Sequence, residues 1–221
     1  LGDVYKRQIN SRLDYRNGKI YWTEIVPGLR WTHENYSVLK CYDLKEGRIK
    51  SITPRQRYLS PSVDKNGKVA AVSRTTVDGK NQLVLVELED GKELFAFQVP
   101  GNAFIKELTF TDQDEVVAVA VTDAGISLLQ FTPSSGQWEE LLSTASVNIT
   151  SPVWKDGRIY FESGANGTNN LYCLDLADHQ VYRLTCARFG AFDPSFTHSG
   201  NRLFFADYQA DLEDYIADYY D

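Results

Sequence analysis

The sequence predicts an all-β protein, a partial β-propeller of about five four-stranded blades. Three observations carry this expectation. Short runs rich in β-branched and aromatic residues alternate with breaks holding Gly, Asn or Asp, and no apolar run keeps a helical period for long. One turn recurs, as Arg16-Asn17-Gly18, Lys65-Asn66-Gly67, Lys155-Asp156-Gly157 and His198-Ser199-Gly200, with Asp112-Gln113-Asp114 in the same place between the second and third. The steps from Gly18 to Gly67, Asp114, Gly157 and Gly200 are 49, 47, 43 and 43 residues. The flanks recur too: Ser60-Pro61, Ser151-Pro152 and Asp193-Pro194 precede the turn, and basic-apolar-aromatic runs such as Arg158-Ile159-Tyr160-Phe161 follow it. A period of this length with four strands in each unit is radial repetition of sheets. A β-sandwich is the alternative, but its strands need not place one turn at one point of every group of four.

Taken in order, blade one covers about 9–53 and carries an excursion, Ile25–Asn35, with Trp31 and His33. Such a loop can be a recognition surface, although a Trp packing back on its own blade is the reading favoured here. Blade two covers 58–99. Blade three covers 104–142 and holds the acidic turn Asp112-Gln113-Asp114-Glu115, which lacks the turn glycine of a calcium loop and reads as solvated. Blade four, 147–185, is the clearest unit, with runs at Pro152–Trp154, Arg158–Glu162, Leu171–Leu176 and Val181–Leu184. Ile159 and Phe161 fall on one face and Tyr160 on the other, so this sheet needs a neighbour on each side. Blade five, 190–221, is partial. Its tail places Asp211, Glu213, Asp214, Asp218 and Asp221 among Tyr215, Tyr219 and Tyr220, and reads as further strands or as a short acidic tail.

The pattern Ser/Asp-Pro-x-apolar-x-x-x-Gly, then basic-apolar-aromatic-apolar, then x-Leu-Tyr-x-Leu-Asp-Leu, resembles the TolB-like, WD40-like (PD40) propeller repeat. Ser151–Leu176 and Asp193–Phe205 match best, Ser60–Leu88 matches well, and Ser11–Leu44 and Glu107–Phe131 match loosely. The resemblance covers most of the chain after residue 8 and is specific for fold, not for function. It implies roughly six or more blades in the intact protein and a periplasmic or outer-membrane-associated location. It also implies one of two settings: a scaffold in a bacterial cell envelope, or the non-catalytic propeller of a prolyl-oligopeptidase-like peptidase. A second resemblance concerns Leu1–Gln8. Asp3-Val4-Tyr5-Lys6-Arg7-Gln8 is what GAT GTG TAT AAG AGA CAG encodes, which is similar to a transposase mosaic-end sequencing adapter. That resemblance implies a non-native segment at 1–8, with the natural N-terminus and any signal peptide or lipoprotein cysteine outside this sequence. An ordinary basic strand is the alternative.

Composition narrows the partners. With 221 residues, 43% hydrophobic and 13% aromatic, the chain can bury a sizeable core. The net charge of −7, from 23 basic and 30 acidic residues, repels phosphate backbones, so no nucleic-acid partner is expected. A protein or glycan partner fits better. No stretch has the apolar length of a membrane helix, so direct membrane insertion by these residues is not expected. Cys41, Cys173 and Cys186 form no metal-spaced set and read as small buried fillers. His33, His179 and His198 all fall in turns or loops, and neither a Gly-x-Ser-x-Gly elbow nor a phosphate-cradling loop occurs. Ser62-x-Asp64-x-Asn66-Gly67 fails as a sialidase Asp box, because Lys68-Val69 follows. No catalytic residue, metal ligand or cofactor is therefore assigned.

Geometry supplies the remaining candidates. The start of each innermost strand of a propeller lies near a channel mouth, which selects Arg57, Tyr58, Asn102, Arg188 and Phe189 as rim residues. The competing reading has each Arg closing on a neighbouring blade and each aromatic in the core. Two functions follow: a non-enzymatic binding scaffold, or a substrate-gating propeller whose catalytic domain lies beyond Asp221.

Overall fold

Each repeat of the turn closes a hairpin. In a computed structural model of the chain, residues 12–27, 35–144, 147–197, 200 and 202–209 are described, together with the backbone of 217–220. Sheet one is β1 (Asp14–Arg16), β2 (Lys19–Pro27), β3 (Asn35–Asp43) and β4 (Arg48–Ser51). Sheet two is β5 (Tyr58–Val63), β6 (Val69–Thr75), β7 (Asn81–Glu87) and β8 (Glu93–Gln98). Sheet three is β9 (Phe104–Phe110), β10 (Val116–Thr122), β11 (Gly125–Thr132) and β12 (Gln137–Thr144). Sheet four is β13 (Ile149–Lys155), β14 (Arg158–Ser163), β15 (Asn170–Asp175) and β16 (Gln180–Arg183). Sheet five is β17 (Ala191–Phe196), β18 (Leu203–Asp207) and β19 (Ala217–Tyr220). All pairings within these sheets are antiparallel between consecutive strands, so each sheet is a meander.

The expectation of about five four-stranded blades is thereby corrected to four complete blades and a fifth sheet of three described strands. The tail reads poorly as a strand because acidic residues crowd it, yet its backbone at Ala217–Tyr220 pairs with β18. The Ile25–Asn35 excursion is also shorter than expected. β2 and β3 stay paired out to Pro27 and Asn35. Trp31 and His33, like Leu1–Gln8, His198 and Asp211–Asp214, lie outside the described residues.

The turn chemistry has a backbone cause. Asn17 and Gly18 sit at φ 50° and 78°, and Asp156 and Gly157 at 48° and 76°, the paired left-handed conformation of a tight two-residue hairpin. Where sheet three lacks the glycine, Asp114 takes φ 60° instead. Thr111 Oγ1 braces that turn by accepting the N–H groups of Gln113 and Glu115 at 3.2 and 3.1 Å.

The Ser/Asp-Pro motif is a β-bulge. Pairing of β5, β13 and β17 with their neighbours slips by one residue at Leu59/Ser62, Thr150/Val153 and Phe192/Ser195. In each slip the residue before proline is left-handed: Ser60 at φ 48°, Ser151 at 53° and Asp193 at 55°. Short polar side chains tolerate that region better than most L-residues. The bulge frees an N–H inside the molecule, and a carboxylate of the preceding sheet takes it. Ser151 N donates to Glu107 Oε2, and Asp193 N donates to Glu162 Oε1 at 2.7 Å. The motif read as a family signature is thus a stitch between sheets.

Apolar packing runs the same way. Tyr21, Leu39 and Cys41 of sheet one meet Val63, Ala70 and Leu88 of sheet two. Leu83 and Leu85 of sheet two meet Ile105, Leu108 and Phe131 of sheet three, and Phe97, Phe131 and Trp138 meet in a row of tilted rings with centroids 4.6 and 4.7 Å apart. Val117, Val119 and Leu128 of sheet three meet Ile159, Phe161 and Leu174 of sheet four. On sheet four's other face Tyr160 packs with sheet five, its ring 4.8 Å from Phe196. Ile159 and Tyr160 therefore face opposite neighbours, as a period-2 strand requires. Fully burying each Val, Leu, Ile or Phe among these contributes about 1.5–3 kcal/mol. Cys41 and Cys173 are buried fillers, and burial pushes the Cys173 thiol up to about 11. Cys186 departs from that expectation. It is exposed.

Candidate binding site in the channel

The first strand of every sheet faces the axis. β5 touches β1 and β9, and β13 touches β9 and β17. All five first strands line one cavity of about 720 Å³. Its mouth is set by the recurrent turns, with Asn17, Lys65, Asp112, Lys155 and Gly200 on the wall. The cavity therefore opens at the trailing ends of the inner strands.

The inner wall carries charge in a fixed order of depth. Arg12 crosses the channel at the level of the bulges, donating through Nη1 to Pro152 O at 3.3 Å and through Nη2 to Pro194 O at 2.6 Å. It thus links the leading residues of sheet one to sheets four and five. Arg16, nearer the mouth, donates from Nε to Val63 O at 3.2 Å. Asp14, between them in the chain, accepts from Val63 N and from Ser62 Oγ. Burial raises the Asp14 carboxyl above its ordinary value, against the pull of Arg16 and the Val63 N–H. At the mouth, Lys65 pairs with Asp114 at 3.5 Å and Lys155 with Asp156 at 2.9 Å. Trp154 Nε1 donates to Asp112 Oδ2 at 3.2 Å, which stands the indole against the wall. Leu13 and Tyr15 add apolar surface and are each 55% exposed.

Below the bulges the polar groups are internally matched. Glu162 is 6% exposed and accepts from Thr150 Oγ1, Asn169 Nδ2 and Asp193 N. Burial raises the Glu107 carboxyl, the Ser151 N–H and the nearby cations Lys106 and Arg12 lower it, and Glu162 raises it further. Among the described residues, no group of three or more His, Cys, Asp or Glu side chains is placed to hold a metal ion. Nor, among them, is any helix long and apolar enough to cross a membrane.

The five residues selected from the sequence lie off this wall. Tyr58 is 2% exposed within the core of sheet two, beside Val72 and Val84, and its hydroxyl donates to Glu93 Oε2 at 3.0 Å. Burial, with the Glu93 charge, pushes that phenol up to about 12. Arg57 is half-buried. Asn102, at φ 55°, accepts from Asn81 N at 2.8 Å and donates to Gly79 O at 3.0 Å, which pins the β6–β7 hairpin. Arg188 and Phe189 are exposed and stack on each other at 5.1 Å. Of the five, Arg188 and Phe189 meet each other. The channel residues had their own signal: a basic side chain two places before the turn glycine in Arg16, Lys65 and Lys155.

Five antiparallel sheets whose first strands surround an axis define a β-propeller. No family model matches the chain, and no curated protein matches it. Solved structures do. TolB from Acinetobacter baumannii superposes with a TM-score of 0.71 at 16% identity, over 92% of this chain and 50% of that one. A nidogen/laminin complex chain gives 0.65 at 13% identity, over 91% and 73%. Puromycin hydrolase gives 0.62 at 13% identity, over 86% and 32%. At these identities the likeness is one of fold, and the fold is that of a TolB-like propeller. The chain spans half the length of the TolB it matches.

Proposed function

We propose that the chain is a non-catalytic TolB-like propeller that binds a protein segment at the trailing mouth of its channel. The observation that carries this is the cavity itself, walled by all five first strands and furnished with Trp154, Tyr15 and basic side chains. Aromatic and Arg side chains on a concave surface are the usual anchors of a protein contact. The likeness to TolB and to a nidogen/laminin complex supports a binding role, and the TolB likeness supports a bacterial cell envelope, in the periplasm or at the outer membrane. The intact protein then carries further blades. Arg188 and Phe189, at the opposite ends of the strands, are the rival contact.

Panning a random heptapeptide library on the full chain separates the two. Selected peptides lose binding to Trp154→Ala and keep it for Arg188→Ala. The reverse pattern moves the site to the leading ends. A second reading, the gating propeller of a prolyl-oligopeptidase-like peptidase, is supported by the likeness to puromycin hydrolase. Long-read sequencing of the intact gene decides it: a hydrolase nucleophile elbow downstream favours the peptidase, and further repeats alone favour the scaffold.

A further inference from the structure

We propose that Arg12 and Arg16 form a carboxylate-binding pair inside the channel, so that the segment it takes is an acidic peptide. This rests on the reading of the channel as the binding surface and adds the chemistry of its ligand. The hydrogen bonds these two guanidiniums make go to main-chain carbonyls: Pro152 and Pro194 for Arg12, Val63 for Arg16. Each guanidinium carries five N–H donors, so most of them remain for a ligand. Among the described residues, neither is hydrogen-bonded to a carboxylate.

The lysines at the mouth are already occupied, Lys65 by Asp114 and Lys155 by Asp156. Of the two other wall carboxylates, Asp14 gives its Oδ2 to Val63 N and Ser62 Oγ, and Asp112 gives its Oδ2 to Trp154 Nε1, so neither occupies a guanidinium fork. Guanidinium forks match carboxylates in geometry. Tyr15, Leu13 and Trp154 give the neighbouring side chains of a peptide apolar surface to cover.

The test uses amidated heptapeptides of sequence Gly-Trp-Leu-Glu-Leu-Trp-Gly, capped at the N-terminus by an uncharged boron-dipyrromethene dye, against the same peptide with Gln for Glu. A third peptide keeps Gln but has a free C-terminal carboxylate. Anisotropy on the full chain is expected to show the acidic peptide bound about tenfold or more tightly than the neutral one. Arg16→Gln is expected to remove most of that preference, and Arg12→Gln with Arg16→Gln all of it. Arg12 also ties three sheets, so Arg16→Gln alone and the salt dependence of the wild type keep the test open if the double variant unfolds. The preference should shrink between low and high salt. The third peptide shows whether the carboxylate is terminal or on a side chain. Equal binding of acidic and neutral peptides overturns the arginine pair, and if Trp154→Ala still weakens both, the channel reading survives it. Binding indifferent to Trp154→Ala overturns the channel reading, and no binding of any peptide overturns the inference.

Discussion

The seams between sheets and the wall of the channel come from one repeat but treat charge differently. In the seams, Glu107 and Glu162 are taken up by bulge N–H groups of the next sheet, and Glu162 gains Thr150 and Asn169 as well. On the channel wall, Arg12 and Arg16 lean on neutral carbonyls. Carboxylates answered from within hold the sheets in place. Guanidiniums answered only by carbonyls remain available to something outside. The same scaffold thus separates structural seams from a channel wall open to a ligand.

Removing a seam carboxylate should have the largest effect. Glu162→Ala strips the partners from three donors in a buried setting and is expected to cost about 3 kcal/mol, read as a lower urea midpoint with the slope unchanged. A loss below half a kcal/mol would show that the stitch between sheets four and five is ornamental. Gly91→Ala comes next. Gly91 has φ 74°, and a Cβ there would sit 2.0 Å from Ile52 O of the chain leaving sheet one. Gly18 has a similar φ of 78° but open space around it. Gly18→Ala is expected to cost about 1–2 kcal/mol from backbone strain alone, and Gly91→Ala clearly more. Equal losses would contradict the close approach of sheets one and two.

Ionisation of the seam gives a subtler effect. Burial raises the Glu107 carboxyl, so the fold favours its protonated form. Its contribution is fully present below the unfolded carboxyl value of about 4.3 and is lost as pH rises through the folded value. Glu107→Gln keeps an oxygen to accept the Ser151 N–H but cannot ionise. The variant should gain on the wild type as the pH is raised from about 4 toward neutral, seen as a widening difference in Tm. A difference independent of pH would remove burial as the cause. The smallest effect belongs to Arg188→Ala, expected to change stability by less than about 0.5 kcal/mol, as for most surface sites.

Much of the fold was legible from local chemistry. Asn17-Gly18 and Asp156-Gly157 announce turns because few other pairs adopt two left-handed residues. Ile159, Tyr160 and Phe161 announce a sheet with two covered faces because strand side chains alternate. The site was less legible. A linker position makes Tyr58 look like rim, but strand alternation turns its ring toward Val72 and Val84. Ser60-Pro61 and its sisters read as a recurring flank of the turn, and the bulge they form within the strand was not foreseen. That one-residue slip, together with the long reach of Arg12 to Pro152 and Pro194, depends on where distant sheets end up, which no local pattern encodes.

The most direct test is to map where an acidic peptide docks. The heptapeptide above, carrying benzophenone in place of one Trp, is photo-cross-linked to the full chain and the adducts are located by mass spectrometry. Adducts at Tyr15, Trp154 or Phe196, competed away by the unlabelled acidic peptide, are the expected result. Competed adducts confined to Arg188, Phe189 and the other leading ends would contradict the account and place the binding surface on the far side of the ring.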